Sequence, residues 1–383
     1  MLVIPPSYFP GDTFIGGGER YAREYARALS KLTPTTLGFF DREAGVQMDR
    51  KLEIRTFSVR HFRPGPAMPF TRETLRALRH YDVVHVMVFP MPLTEMLILL
   101  ARLRGQRVVL TDVGGGAPCI STYLQRLSPR LDLNRAAHGL AHLSRYGGSF
   151  FKDWPHPHEI LYGGADLDGF PESGQEPEGY ALFVGRLLPH KGVLQLIQAL
   201  TPGTPLRVVG RPADPAYLAL LRNAAAGKRV EFIFDVDDAA LRRQYAGASV
   251  VLQPSLPAKH GVADKAELLG LVTLEGMASA RPVIVTATAS LPELVVDGTT
   301  GFVVPPFDLA ALRARVERLV GDAALVQHMG AAARLHVEEN FTWDRVARRG
   351  LAFYEQLLRR RGRSGRRSAV WAARETKQRS LGA

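Results

Sequence analysis

Four residues in the second half of the chain carry side chains suited to a diphosphate and to sugar hydroxyls. Glu267 and Glu275 lie eight residues apart in ELLGLVTLE, and Arg186 and Lys191 lie earlier, in FVGRLLPHKG. A carboxylate offers only acceptors, which suits hydroxyl groups, whereas guanidinium and ammonium groups suit phosphate oxygens. Together they indicate a site for a nucleotide sugar.

The segment between the two glutamates predicts a phosphate-binding helix start. Glu267 falls in a loop, Gly270 lies where a helix begins, and Glu275 follows about one turn later. Backbone N–H groups at a helix start bind phosphate, and the helix dipole assists them. Each motif alone has a simpler interpretation, with Glu267 as an acid near a helix cap, Glu275 as a solvated helix residue, and the two cations as solvated turn residues. Their order and spacing favour the ligand site.

The composition is that of a globular protein with a basic end. The chain has 383 residues, of which 46% are hydrophobic and 22% charged, and its formal charge is +12. This length exceeds one ordinary core, which predicts two domains. Residues 359–383 hold nine Lys or Arg against one Glu and contribute +8, so the body of the chain is only mildly basic.

Other features bear on the compartment. Cys119 is the only cysteine, so an intrachain disulfide is excluded. The start, MLVIPPSYFPG, lacks the charged and apolar regions of a signal peptide. Residues 83–100 are apolar on average, but Pro90 and Pro92 interrupt them, which favours a strand and a helix over a membrane span. We expect a cytoplasmic protein.

Short apolar runs alternate with amphipathic stretches, which predicts an α/β protein with doubly wound sheets. Glycine, proline and glutamate in PESGQEPEG mark a linker. The predicted division is a Rossmann-like domain, a linker, a second Rossmann-like domain that carries the nucleotide-sugar residues, a terminal amphipathic helix, and a basic, disordered tail; these are residues 1–168, 169–179, 180–340, 341–358 and 359–383.

The segments FVGRLLPHKG and ELLGLVTLEGMASARPVIVTATASLPELVVDGTTGFVVPPFD resemble the C-terminal half of retaining glycosyltransferases of family 4. The resemblance covers residues 180–360 closely and the first half of the chain more loosely. It implies the GT-B fold, in which two Rossmann-like domains face a central cleft, the first (1–168) binding the acceptor and the second (180–340) the nucleotide sugar. It also implies that the helix at 341–358 packs back toward the first domain.

The resemblance also implies roles for the residues quoted above. Arg186 and Lys191 would bind the donor diphosphate, Glu275 the ribose and Glu267 the donor sugar, and Arg186, Lys191 and Glu267 would form the catalytic set. Gly270 and Leu271 would present backbone N–H groups to the phosphates. The other expected donor-side residues are Gly17, Gly18, Gly185, Phe234, Asp235, Val236 and Leu269.

The family retains the anomeric configuration, and the leaving diphosphate accepts the acceptor's proton. Stabilising the charge on that diphosphate is then the main catalytic effect. We expect no cofactor and no metal, with a UDP- or GDP-linked sugar as donor. Asp235-Val236-Asp237 has the spacing of a metal-binding pair, but surface acids after strands are ordinary.

The acceptor side is less well defined. His85, Asp112, Gly114 and Gly115 are candidates, with a buried, hydrogen-bonded histidine as the alternative for His85. Relatives often carry a histidine near the position of Asp112, so the identity of that contact is open.

Two other functions stay open at this point. One is another GT-B enzyme acting on a nucleotide sugar, such as an epimerase. The other is a nucleic-acid-binding protein led by the basic tail, but the body of the chain offers no aromatic-basic motif, and we expect no nucleic-acid partner. The tail suits either a solvated segment or weak docking to an anionic membrane through Trp371.

Overall fold

The computed structural model describes residues 1–6, 16–59, 71–113, 119–128, 130–170, 176–257 and 267–362. The expected acceptor-side residues Gly114 and Gly115 and most of the tail lie outside these ranges. Within them, no helix is both long and apolar enough to cross a membrane.

The first lobe is built on an eight-stranded sheet in the order β3-β4-β2-β1-β5-β6-β7-β8. Neighbouring strands are parallel except for the antiparallel pair of β3 and β4 at one edge. The strands are β1 (Leu2–Ile4), β2 (Thr36–Asp41), β3 (Gly45–Asp49), β4 (Leu52–Ser58), β5 (Val83–Val86), β6 (Arg107–Thr111), β7 (Gly139–His142) and β8 (His158–Ile160). The helices are α1 (Gly17–Ser30), α2 (Arg72–Ala77), α3 (Pro92–Leu103), α4 (Ile120–Leu124) and α5 (Arg145–Gly148).

The second lobe is built on a six-stranded parallel sheet in the order β11-β10-β9-β12-β13-β14. Its strands are β9 (Tyr180–Val184), β10 (Leu206–Val209), β11 (Val230–Ile233), β12 (Ala248–Gln253), β13 (Val283–Thr286) and β14 (Gly301–Val304). Its helices are α6 (Val193–Ala199), α7 (Pro215–Ala224), α8 (Asp238–Gly247), α9 (Leu271–Ala278), α10 (Leu309–Val320) and α11 (Ala323–Asn340). Every residue of β12 and β13 is buried, as expected for parallel strands covered on both faces.

The last helix, α12 (Trp343–Gly362), returns to the first lobe. Phe353, Tyr354 and Leu357 are buried in the same apolar cluster as Tyr21 and Tyr25 of α1. The helix continues past Leu358, where the sequence placed its end. Residues 359–362, which the sequence assigned to a disordered tail, therefore belong to the last turn of α12.

The lobes are joined where two chain segments lie side by side. The backbone N–H of Ala165 donates to the carbonyl of Phe341 at 2.8 Å, and Ala165 and Thr342 form a parallel bridge. Phe170 is buried against Tyr245, with ring centroids 5.7 Å apart. Because Ala165 and Phe170 share an apolar cluster with the second sheet, the chain enters the second lobe before the predicted boundary at residue 169.

Candidate functional site

A partly buried ion pair forms one part of the site. The Lys191 ammonium pairs with Oε2 of Glu267, and the hydroxyl of Ser255 donates to the same oxygen at 3.3 Å. Burial alone would raise the pKa of Glu267, but the Lys191 ammonium and hydrogen bonds from Lys191, Gln253 and Ser255 outweigh it and lower that pKa. Glu267 is thus an ionised, oriented acceptor at neutral pH.

The local backbone explains how Lys191 reaches Glu267. Lys191 ends a short 3-10 turn after β9, and Gly192 follows with φ of 73°. A Cβ at Gly192 would lie 1.9 Å from the Pro254 carbonyl oxygen, so only glycine permits this approach. The N–H of Leu256 donates to the His190 carbonyl at 2.8 Å. These contacts press the turn against the loop after β12, at the carboxyl edge of the sheet.

The start of α9 lies beside this pair. Gly270, its N-cap residue, has φ of 67° and supplies no side-chain cap. The N–H and hydroxyl of Ser290 both donate to the Glu267 carbonyl, at 3.1 and 2.5 Å, which fixes the approach to the helix. Leu269 and Leu271 pack into the apolar cluster of the first lobe. The predicted phosphate-binding helix start thus lies where the two lobes meet.

Glu275 is buried in α9, so the interpretation of a solvated helix residue is excluded. Its Oε1 pairs with Nη1 of Arg20 at 3.1 Å, and the Tyr245 hydroxyl donates to its Oε2 at 2.8 Å. Burial raises the pKa of Glu275, and Arg20 and Tyr245 only partly oppose that rise. Sequence reasoning missed both partners, although Arg20 closely follows the glycines expected at the donor.

The two glycines of the first lobe differ in their surroundings. Among the described residues, a Cβ at Gly17 would meet no atom within 4 Å. At Gly18 it would lie 3.2 Å from Pro6 and 3.3 Å from Val113, so Gly18 serves the packing of α1 on the sheet. Since Asp112 precedes Val113, the end of β6 lies next to the start of α1. Asp112 itself is only partly buried.

The residues expected around the diphosphate and the base follow the ends of strands β9 and β11. Gly185 follows β9 with φ of 147°, and the side chain of Arg186 is exposed. Phe234 and Val236 are partly buried beside the second-lobe core. Their roles toward a donor stay predictions.

The Asp235-Val236-Asp237 segment has local structural roles. Asp235 pairs with Arg211 at 2.9 Å, and Asp237 caps α8 by accepting from the Ala240 N–H at 2.6 Å. In the part of the chain that the structure describes, no three His, Cys, Asp or Glu residues are grouped as a metal site. The metal-free mechanism stays a prediction.

His85 is a buried, hydrogen-bonded histidine, as in the alternative interpretation of the sequence. It is 1% exposed, its Nδ1 hydrogen-bonds the Tyr354 hydroxyl, and its Nε2 hydrogen-bonds the Thr111 hydroxyl, both at 2.6 Å. Burial lowers the pKa of His85 to about 3, so the ring is neutral at physiological pH. Because both nitrogens are engaged inside the first lobe, His85 is not available to an acceptor and is withdrawn from the acceptor side.

Comparison with known proteins extends these observations. The family model for glycosyl transferases group 1 matches residues 169–336. A GDP-mannose-dependent alpha-(1-6)-phosphatidylinositol monomannoside mannosyltransferase from Mycolicibacterium smegmatis is 30% identical over 300 residues, which cover 70% of this chain and 73% of that protein. The chain belongs to the glycosyl transferases group 1 family.

Other group 1 relatives match over a smaller share of their length. A D-inositol 3-phosphate glycosyltransferase from Corynebacterium diphtheriae is 34% identical over 178 residues, which cover 43% of this chain. This match spans 39% of that relative's length, and the matches to two glycogen synthases and an archaeal glycosyltransferase span 46% to 48% of theirs. Substrates are therefore proposed below from the site.

Solved structures show the same architecture. Sucrose-phosphate synthase from Thermosynechococcus elongatus superposes with a TM-score of 0.69 at 21% identity, over 93% of this chain and 98% of its own. HepE from Anabaena, solved with UDP and glucose, superposes with a TM-score of 0.70 at 17% identity, over 93% and 99%. These similarities confirm the predicted GT-B fold.

Proposed function

We propose that this group 1 glycosyltransferase moves a hexose-type sugar, with retention of configuration, from a nucleoside diphosphate to an acceptor hydroxyl. The observation that carries the proposal is the Lys191–Glu267 ion pair beside the start of α9, with Glu275 one turn into that helix. This arrangement places a cation, uncapped helix N–H groups and two carboxylates together at the carboxyl edge of a parallel sheet, where α/β proteins bind ligands.

Each group matches one part of a nucleotide sugar. The Lys191 ammonium and the N–H groups of α9 suit the diphosphate, because both carry positive charge. Glu267 suits hydroxyls of the sugar and Glu275 those of the ribose. The exposed Arg186 and Gly17 are the other expected contributors on the phosphate side.

The proposed reaction is a same-face substitution at the anomeric carbon. The bond between the anomeric carbon and the diphosphate oxygen breaks, and the acceptor oxygen bonds to the same face of that carbon. The acceptor's proton passes to the departing diphosphate oxygen, so no protein nucleophile is needed. Lys191 stabilises the charge that develops on the diphosphate, which is the kind of interaction that contributes most to such rates.

UDP and GDP are the proposed donor nucleotides. In support, one relative is named for GDP-mannose and one similar structure contains UDP. The proposal includes a cytoplasmic location and leaves the acceptor open.

Thermal stabilisation by a panel of UDP-, GDP- and ADP-linked sugars tests the donor class. A ligand that binds only the folded state raises the melting temperature. At a ligand concentration a hundred times the Kd, it adds about 2.7 kcal/mol to the free energy of unfolding. The rise should disappear in Glu275→Ala. Absence of a shift with every member of the panel would contradict the proposal.

Treatment with EDTA tests the metal-free mechanism. Transfer from the stabilising donor should persist, because Lys191 and the helix start supply the positive charge. Full loss of transfer that manganese restores would overturn that part of the proposal.

A further inference from the structure

The carboxylate of Glu275 is held from both lobes. Arg20, in the first turn of α1, contacts Oε1 from the first lobe, and Tyr245, in α8, contacts Oε2 from the second. The side chain of Glu275 is 6% exposed, and Tyr245 is fully buried. A carboxylate held at both oxygens has one fixed orientation.

These contacts leave acceptor positions for a ligand. An ionised carboxylate has about four lone-pair sites, two on each oxygen. Among the described residues, Arg20 uses one site on Oε1 and Tyr245 uses one on Oε2, which leaves one site on each oxygen. Two acceptors on adjacent oxygens match two vicinal hydroxyls, as in a ribose. Arg20 also lies less than one turn after Gly17, where a Cβ would meet no atom of the described residues within 4 Å.

We propose that Arg20 is a positioning residue for the donor nucleoside, because its ion pair with Glu275 fixes the orientation in which that carboxylate receives the two ribose hydroxyls. This inference rests on the proposed function, since it takes a ribose as the ligand of Glu275. It makes the first lobe part of the nucleoside site of the second lobe.

Among the groups around Glu275, Arg20 has the largest effect in lowering its pKa. Burial is the largest influence on Glu275 and raises its pKa; Arg20, Tyr245 and Arg242 lower it, and Asp238 raises it. Arg20 in turn faces Glu275, Tyr245, Asp238 and Glu24. Loss of the guanidinium would let Glu275 take up a proton at higher pH, and a protonated carboxyl accepts hydroxyl hydrogens less well.

The test measures the Kd of UDP, GDP and ADP by calorimetry on the full chain between about pH 5 and pH 8, because the pKa of Glu275 is raised above that of an ordinary carboxyl group. Arg20→Gln should weaken the nucleotide that wild type binds by about tenfold at neutral pH, the value of one charge-assisted hydrogen bond, with a larger loss as the pH falls. Arg20→Lys keeps the charge and should keep the wild-type pH profile, with a smaller loss of affinity.

Matched variants separate positioning from general stability. Lys31→Gln removes an ion pair of the same region, that between Lys31 and Asp344 at 3.0 Å, and should leave both Kd and its pH profile unchanged. In a Glu275→Gln background, Arg20→Gln should cause little further loss, because the two residues act together. If Arg20→Gln does not fold, Arg20→Lys provides the test. A nucleotide Kd whose pH dependence in Arg20→Lys is shifted from that of the wild type overturns the inference.

The outcomes distinguish the inference from the proposed function. If wild type binds a nucleotide and Arg20→Gln has the wild-type affinity and pH profile, Arg20 has no positioning role. The positioning role is also excluded if Arg20→Gln weakens nucleotide binding as much in the Glu275→Gln background as it does in the wild type. If wild type binds none of the three nucleotides, the proposed function itself fails, and the inference fails with it.

Discussion

At the residue scale, the two glutamates of the site have opposite electrostatic surroundings. The charge of Lys191 and hydrogen bonds from Lys191, Gln253 and Ser255 hold the pKa of Glu267 below its usual value, whereas burial holds that of Glu275 above it. Glu267 is therefore ionised across the physiological range. The charge of Glu275 depends more strongly on its partners, Arg20 above all.

Replacing Lys191 tests the leaving-group role. Lys191→Ala should reduce kcat at least ~100-fold, the usual effect of losing one group that stabilises developing charge. Steady-state kinetics with the stabilising donor would measure this change. Lys51→Ala, at an exposed position of the first lobe, is the control and should keep wild-type turnover. Equal turnover in Lys191→Ala and wild type would remove Lys191 from the catalytic set.

The lowered pKa of Glu267 gives a stability prediction with a definite sign. A carboxyl whose pKa is lower in the folded state stabilises the fold above its unfolded pKa, and this contribution is lost as the pH falls through the folded pKa. Glu267→Gln should therefore lower the free energy of unfolding at neutral pH by about 2 kcal/mol, between the values for exposed and buried ion pairs. Urea unfolding should show the difference shrinking below about pH 4. A difference independent of pH would contradict the ion-pair explanation.

The charged core of the site could be predicted from spacing, because Lys191, Glu267 and Glu275 lie in two short motifs. Their partners could not. Arg20 and Tyr245 come from other elements, and only the tertiary packing of α1 and α8 against α9 brings them to Glu275. His85 shows the same limit, since both its hydrogen-bond partners lie on other elements.

At the element scale, the 3-10 turn before α6 determines where Lys191 lies. Gly192→Ala should destabilise the protein by more than the roughly 1–2 kcal/mol of a left-handed residue, because its Cβ would also meet the Pro254 carbonyl. It should lower kcat as well, because the turn would have to shift to avoid the clash with Pro254, and this shift would move the Lys191 side chain away from Glu267. Gly203→Ala, where a Cβ would meet nothing within 4 Å, is the control for both thermal unfolding and kinetics. Normal kinetics in Gly192→Ala would show that the turn does not set the site.

The alternation of apolar runs and amphipathic stretches predicted the α/β architecture of both lobes. Two elements, one in each lobe, lack a clear pattern for physical reasons. Strand β3 lies at a sheet edge with nearly every residue exposed, so it lacks an apolar pattern. Helix α11 buries Gly330 and Ala333 along with larger residues, and small residues give a weak apolar stripe.

At the scale of the whole molecule, α12 completes the core of the first lobe. Phe353→Ala should lower the free energy of unfolding by about 3–5 kcal/mol, because it leaves a cavity against Gly139 and the residues of α1. A chain that ends after Gly362 is the control, since it keeps every described residue of α12. Chemical denaturation of both proteins measures the difference, and equal stability would contradict the role of α12.

The paired crossing at Ala165 and Phe341 restricts how the halves of the enzyme can turn. A single connecting segment would permit twisting as well as bending. Because two segments are tied by a hydrogen bond, we expect them to act as a pivot that confines opening largely to rotation about one axis. An insertion in either segment alone would shift it out of register with the other and break this pairing, so we expect this crossing to tolerate insertions poorly.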